Sequence, residues 1–126
     1  MLALSSSATI YFCTKPTDMR KGFDGLLALI KDHLHQDPFA GGLYAFVNRR
    51  RDRLKLLAWE GDSLAIYYRR LEQGSYQCPA GDGSKPSVVL SATDLSLILS
   101  GIDLGSVKRR KRYQQAKTQT VKTKSA

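Results

Sequence analysis

The stretch from residue 42 to residue 74 constrains the fold more than any other part of the chain. It contains three runs rich in β-forming residues, at positions 43–48, 53–59 and 64–71. Short polar turns at 49–52 and 60–63 separate these runs, and the second turn includes the turn-forming pair Gly61-Asp62. Because connections this short join antiparallel strands, the stretch predicts an antiparallel β-meander.

The turn lengths also predict which residues lie opposite one another. They place Phe46 opposite Lys55, Lys55 opposite Tyr68 and Arg53 opposite Arg70. Since side chains alternate along a strand, opposite residues share a face. One predicted face is aliphatic and carries Leu43, Ala45, Val47, Leu54, Leu56, Ala58, Ala65 and Tyr67. The other mixes aromatic, aliphatic and basic residues and carries Tyr44, Phe46, Asn48, Arg53, Lys55, Leu57, Trp59, Leu64, Ile66, Tyr68 and Arg70.

The flanking segments predict an α+β fold in which the meander grows to between three and five strands. Residues 8–13 form a further β-run, and residues 75–78 are expected to add an edge strand. A helix is expected from about Met19 to Gln36, with Asp18 as its N-cap. Its apolar stripe, expected to lie on the aliphatic face, consists of Met19, Phe23, Leu26, Leu27, Ile30 and Leu34.

A second, shorter helix is expected after the turn-rich loop at residues 79–87. The sequence Ser91-Ala92-Thr93-Asp94 resembles a capping box in which aspartate replaces the usual glutamate. Leu95, Ile98, Leu99 and Ile102 then recur at helical spacing, and Gly101 is expected to stop the helix.

Charge divides the chain into a body and a tail. The net charge is +9, yet all eleven acidic residues lie at or before Asp103, and eight basic residues follow it. We therefore expect a flexible N-terminus at 1–7, a single α+β domain at 8–105 and a basic, largely disordered tail at 106–126. A nearly neutral body with a cationic tail suits a polyanionic partner.

The cellular compartment is also predicted. Cys13 and Cys78 lie far apart and lack C-x-x-C spacing, which favours reduced thiols. The first residues lack the charged and apolar regions of a signal peptide, and no run approaches the roughly 18 apolar residues of a membrane span. We expect a soluble, cytoplasmic protein with no membrane association.

Several sequence blocks resemble one protein family. They are PTDMRKGFDGL at 16–26, DPF at 37–39, NRR at 48–50, DRLK at 52–55, YRRLE at 68–72 and GID at 101–103. In this order they resemble the TnpB accessory proteins, which are encoded by the second reading frame of the insertion-sequence-sixty-six group of bacterial transposable elements. The family often has glycine where Arg51 stands, and tryptophan where Tyr67 and Cys78 stand.

The resemblance implies a role beside a separate, larger transposase, in contact with DNA or with the transposase assembly. The implied partners are DNA at the transposon ends, the transposase and the element's other accessory protein. We expect a non-catalytic protein that binds nucleic acid, with DNA favoured over RNA. The alternative is a protein-interaction subunit that organises the transposase complex with little direct DNA recognition.

Basic residues in two places are candidates for phosphate binding. The body contributes Arg49, Arg50, Arg51, Arg53, Lys55 and Arg70, and the tail contributes Lys108, Arg109, Arg110, Lys111 and Arg112. The alternatives are that the turn is charged only because it is exposed to solvent, and that the tail serves only solubility. In the tail, the charge forms one run without interspersed acids, which favours phosphate binding.

Four aromatic residues of the mixed face are candidates for stacking on bases, namely Tyr44, Phe46, Trp59 and Tyr68. The favoured alternative places these rings in a core beneath a helix such as the one at 92–100. A single sheet with so many residues on this face requires cover.

Nothing in the sequence favours catalysis. His33 and His35 are two apart on a predicted helix and face different directions, so they cannot easily share a metal ion. Glu60 and Asp62 are ordinary turn acids. The sequence lacks a Gly-rich phosphate loop, H-E-x-x-H and G-x-S-x-G. We expect no catalytic residues, no metal site and no cofactor.

Overall fold

Residues 8–101 form a mixed α+β structure with a five-stranded sheet and two helices. A computed structural model describes residues 8–101. The strands are β1 (Ile10–Cys13), β2 (Leu43–Val47), β3 (Arg53–Trp59), β4 (Leu64–Arg70) and β5 (Ser87–Leu90). Helix α1 (Phe23–Asp32) lies between β1 and β2, and helix α2 (Ala92–Leu99) follows β5.

The meander β2–β3–β4 has the register that the turn lengths predicted. Lys55 pairs with both Phe46 and Tyr68, and Arg53 pairs with Arg70. The strand order is β4-β3-β2-β1-β5, and all neighbours are antiparallel except β1 and β2, which are parallel. The expectation of a purely antiparallel sheet was therefore wrong. The long connection through α1 returns the chain to the end of the sheet where β1 started, so that β2 runs alongside it.

Helix α1 covers the mixed face of the sheet, and the expectation that it covers the aliphatic face was wrong. Leu26 and Ile30 of α1, with Leu34 beyond its end, form one core with Cys13, Tyr44, Phe46 and Leu57. A crossover between parallel strands has a strongly preferred hand. The parallel pairing of β1 and β2, which the meander pattern did not reveal, therefore determines which face α1 covers.

Helix α2 and the segment around Tyr76 cover the aliphatic face. The core on this side consists of Ile10, Phe12, Leu43, Ala45, Val47, Leu54, Leu56, Tyr76, Leu90, Leu95 and Ile98. The expected edge strand at 75–78 was wrong, because the Tyr76 side chain is buried in this core and its segment forms no strand. The edge strand beside β1 is β5 instead.

Helix α1 is shorter than expected and begins differently. Its N-cap is Gly22, which provides no side-chain cap, so the expected N-cap role of Asp18 was wrong. The Asp18 carboxylate accepts hydrogen bonds from the backbone and side chain of Arg20 instead. Phe23 is 47% exposed, whereas Leu26 and Ile30 are buried, so the expected burial of Phe23 was also wrong. The helix starts only at Phe23, and its buried side is centred on Leu26 and Ile30.

The capping box at the start of α2 is confirmed. The Ser91 hydroxyl accepts a hydrogen bond from the Asp94 backbone N–H, and the Asp94 carboxylate accepts one from the Ser91 backbone N–H. Gly101 has a φ of 86°, the left-handed conformation typical after a helix end. Ile102 and the segments 1–7 and 106–126 lie outside the described residues, so the domain boundaries stay a prediction.

Candidate nucleic-acid interface

The turn between β2 and β3 is held by the side chain of Asn48. Its amide oxygen accepts hydrogen bonds from the backbone N–H groups of Asp52 and Arg53, each at 3.0 Å. Its amide nitrogen donates to the Asp52 carboxylate at 2.7 Å. The short NRRRD sequence therefore forms a closed turn that presents its arginine side chains outward.

Three backbone hydrogen bonds from other segments of the chain hold this turn in place. The Val47 carbonyl accepts a hydrogen bond from the Thr17 N–H at 2.8 Å. The carbonyls of Arg51 and Asp52 accept from the N–H groups of Tyr76 and Leu71, both at 2.7 Å. The backbone that carries the arginines is therefore anchored to the rest of the domain, even though the side chains face solvent.

A cleft of about 600 Å³ lies between this turn and the loop before α1. It is lined by Pro16, Thr17, Asp18, Met19, Arg20, Asn48, Arg49, Arg50, Asp52, Arg53 and Tyr68. The structure thus brings together four of the predicted site residues: Arg49, Arg50, Arg53 and Tyr68. The opposite wall belongs to the PTDMRKGFDGL block, whose contribution sequence reasoning missed. Its Arg20 was visible only as part of the family resemblance.

The two carboxylates in the cleft are already engaged. Asp18 forms an exposed ion pair with Arg20 at 2.7 Å, and hydrogen bonds from Arg20 lower the pKa of the Asp18 carboxyl to about 2. Asp52 accepts the hydrogen bond from Asn48. The cleft has four arginines, Arg20, Arg49, Arg50 and Arg53, against these two carboxylates, so its net charge is +2, which suits an anionic ligand.

Lys55 lies beneath the cleft wall and is only 8% exposed. Its ammonium donates hydrogen bonds to the carbonyls of Met19 and Lys21, both at 2.8 Å, and lies 4.7 Å from the centroid of the Tyr68 ring. Lys55 thus ties the loop before α1 to the sheet. Its predicted contact with phosphate stays a prediction that this burial disfavours.

The remaining arginines of the predicted group lie outside the main cleft. Arg51 lines a second cleft of about 280 Å³, together with Cys78 and the loop from Pro79 to Gly83. Burial raises the pKa of the Cys78 thiol to about 11, so the thiol is protonated at neutral pH and a weak nucleophile. Arg70 forms an ion pair with Glu72 at 3.0 Å.

The four candidate aromatic residues have different environments. Tyr44 and Phe46 are buried, so the core interpretation is confirmed for these two, with α1 rather than the 92–100 helix as their cover. Trp59 is partly buried and meets Phe39 edge to face, with ring centroids 5.2 Å apart. Tyr68 is 47% exposed and lines the arginine cleft.

Charge is separated along the strands. We call the end where β2 passes into β3 the arginine end, and the end where β3 passes into β4 the acidic end. Basic residues in the segments at the arginine end are Lys15, Arg20, Lys21, Arg49, Arg50, Arg51, Arg53, Arg69, Arg70 and Lys85, against Asp18, Asp24, Asp52, Glu72 and Asp82. The acidic end carries Asp32, Asp37, Glu60, Asp62 and Asp94, against Lys31.

Two further observations concern the described part of the chain. Between residues 8 and 101, no group of three or more His, Cys, Asp and Glu side chains is arranged to hold a metal ion. Neither helix in this region has the length and apolar character needed to cross a membrane. The predicted phosphate-binding residues from Lys108 to Arg112 lie beyond the described residues.

The fold and the cleft define a small α+β protein with an arginine-lined surface at one end of a mixed sheet. The model of the family described as IS66 Orf2 like protein matches residues 8–109, and the chain belongs to this family. It is similar to "Uncharacterized protein y4jC" of Sinorhizobium fredii, with 33% identity over 87% of this chain and 92% of that protein.

A second Sinorhizobium fredii relative, "Uncharacterized protein y4hO", is 31% identical over 82% of this chain and 88% of that protein. No solved structure shows significant similarity to the chain. The resemblance found in the sequence blocks is thus confirmed at the level of the family.

Proposed function

We propose that this protein is a non-catalytic accessory protein of DNA transposition that binds DNA through its arginine end and its basic tail. Membership of the IS66 Orf2-like family supports the role in transposition. The single observation that carries the DNA-binding proposal is the cleft lined by Arg49, Arg50 and Arg53, in which Arg49 and Arg50 are exposed on an anchored turn and Arg53 is half-buried. Arginine forks match phosphate oxygens, and a fixed backbone lowers the ordering cost of that contact.

The distribution of charge supports the same proposal. The described residues contain nearly equal numbers of basic and acidic groups, so their net charge alone would attract a polyanion only weakly. Separation into two ends directs the arginine end toward DNA and the acidic end away from it. The tail residues from Lys108 to Arg112 would add sequence-independent phosphate contacts. In this proposal the strand-breaking and strand-joining chemistry belongs to the separate transposase.

Salt-dependent binding of the full-length chain tests the proposal. Arg49→Gln and Arg50→Gln should each reduce the slope of log K against log salt by about 0.9, the value for one duplex phosphate contact. Lys31→Gln is the matched control, because it also removes one positive charge but lies at the acidic end. Fluorescence anisotropy with labelled duplex DNA gives the slopes.

The three variants separate local contact from overall charge. Equal slopes in wild type, Arg49→Gln and Arg50→Gln would mean that the turn arginines are solvated, and would overturn the proposal for the cleft. Equal losses in all three variants, including Lys31→Gln, would show that only net charge matters.

A protein-interaction role is the second candidate, and one observation favours it. Phe39 is 45% exposed and packs against Trp59 beside Glu60 and Asp62, which gives the acidic end an aromatic surface. Aromatic residues are enriched at protein interfaces. Co-purification of this chain with the transposase after nuclease treatment, and its loss in Phe39→Ala, would support that role.

A further inference from the structure

Tyr68 combines exposure with a position in the arginine cleft. It lies on β4, whose outer edge pairs with no other strand among residues 8–101. About half of the side chain is exposed, and the ring lines the same cleft as Arg49, Arg50 and Arg53. Because hydrophobic stabilisation scales with the apolar area removed from water, a half-exposed ring contributes less to the core than a buried one.

The ring is held in place from two directions. The Lys55 ammonium lies 4.7 Å from the ring centroid, and two backbone carbonyls fix that ammonium in turn. Arg53 Nη1 donates a hydrogen bond to the Tyr68 hydroxyl at 3.3 Å. The ammonium lies over one ring face, and 47% of the Tyr68 residue is exposed beside the cleft. The cation–π contact and the hydrogen bond together favour a fixed ring orientation.

A fixed aromatic ring beside arginines has a particular use in nucleic-acid binding. In a duplex, the faces of the bases are occupied by stacking, and proteins reach only the base edges. The face of an unpaired base is free, and it stacks on aromatic side chains while cationic side chains contact the flanking phosphates. The cleft volume of about 600 Å³ lies within the range of small-molecule sites, which leaves space for an extruded base.

We propose that the arginine cleft binds single-stranded or locally unpaired nucleic acid, with one base stacked on Tyr68 and adjacent phosphates on Arg49 and Arg50. This inference rests on the proposed DNA-binding function and specifies its ligand. Tyr68 is the platform, Arg53 and Lys55 orient it, and the turn arginines hold the backbone. The site is sequence-tolerant, because every base has a ring face.

The test compares two probes on the full-length chain. One probe is a labelled oligothymidine, and the other is a labelled hairpin duplex. Tyr68→Ala should weaken oligothymidine binding by about 5- to 150-fold, the range for loss of one base stack. Duplex affinity should change by less than about twofold, because no base face is available there. Tyr68→Phe keeps the ring and should retain most of the single-strand affinity.

A matched control and a direct readout complete the experiment. Phe39→Ala removes an aromatic side chain of similar exposure at the acidic end and should leave both affinities unchanged. Oligonucleotides containing 5-iododeoxyuridine should photo-crosslink to the wild-type protein at Tyr68, as located by tandem mass spectrometry. This readout requires no substitution, so it holds even where Tyr68→Ala lowers stability.

The outcomes distinguish this site from the broader proposal. Wild-type protein that binds neither probe would overturn the proposed function and the stacking site with it. Binding of both probes with equal sensitivity, or none, to Tyr68→Ala would overturn the stacking site alone. A crosslink confined to residues outside the cleft would do the same.

Discussion

At the scale of single residues, Lys55 shows how burial bears on a predicted phosphate contact. Its membership of the basic group of the body predicted a phosphate contact. In the structure its side chain is buried and its ammonium donates hydrogen bonds to the carbonyls of Met19 and Lys21. The hydrogen-bond partners of Lys55 are backbone carbonyls and not a carboxylate. The sequence therefore contains no acidic partner from which its burial could be predicted. Lys55 therefore positions one wall of the cleft.

Replacement of Lys55 by methionine should lower the free energy of unfolding by about 1.5–3 kcal/mol, because two carbonyls lose a charged donor. The salt slope of DNA binding should stay unchanged in this variant, since the ammonium does not reach the ligand. Urea denaturation and anisotropy measure the two quantities. Lys31→Met is the exposed control. A slope reduced by about 0.9 would identify Lys55 as a phosphate contact after all.

Arg51 occupies a conformation that suits glycine. Its φ is 60°, in the left-handed region that costs an L-residue about 1–2 kcal/mol. Arg51→Gly should raise the free energy of unfolding by about 1 kcal/mol. Arg50→Gly should instead lower it by about 0.5–1 kcal/mol, because the added freedom there benefits only the unfolded chain. Similar losses in both variants would show that the Arg51 side chain contributes more than its backbone strain costs.

The Tyr44 hydroxyl gives the fold an alkaline limit. Burial raises the pKa of Tyr44 from 10.0 to about 12, so the neutral form is favoured in the folded state. The contribution of the neutral Tyr44 hydroxyl to the free energy of unfolding is complete below pH 10. It is lost as pH rises from about 10 to about 12. Tyr44→Phe should remove this part of the decline, while losing the hydrogen bond to the Asp37 carbonyl. Chemical denaturation of wild type and Tyr44→Phe across pH 9–12 measures this difference. If the free energy of unfolding fell equally with pH in both proteins, Tyr44 would not be the group responsible.

At the scale of elements, α1 shows why an apolar stripe does not fix a helix face. Phe23 and Leu26 are three residues apart and both belonged to the predicted stripe, yet only Leu26 is buried. The apolar stripe of α1 is compatible with packing on either face of the sheet. The parallel pairing of β1 and β2, with the preferred hand of the crossover, determines which face α1 covers.

Leu26→Ala should therefore cost about 2–5 kcal/mol, the range for a buried leucine, whereas Phe23→Ala should cost under about 1 kcal/mol. Both residues lie in the first half of α1, and they differ in burial. Thermal and urea unfolding measure both. A larger loss for Phe23→Ala than for Leu26→Ala would contradict this placement of α1.

At the scale of the whole molecule, the proposed DNA contacts come from the arginine end of the body and from the basic tail. The tail lies outside the described residues, so its phosphate contacts are a prediction from sequence. Deletion of the residues after Val107 should reduce the salt slope by about 3–5 and weaken binding to every DNA sequence alike. Any preference for unpaired bases should survive the deletion, since Tyr68 stays in place. Loss of that preference with the tail would contradict a role for the body.

The sequence by itself determined the meander, its register and the α2 capping box, because turn length, side-chain alternation and local hydrogen bonding act over a few residues. It also identified the family and the arginine-rich turn. Only the tertiary structure decided that β1 is parallel to β2, that α1 covers the mixed face, and that Lys55 and Phe46 are buried while Tyr68 is exposed. These outcomes depend on contacts between segments far apart in the chain, which no local pattern encodes.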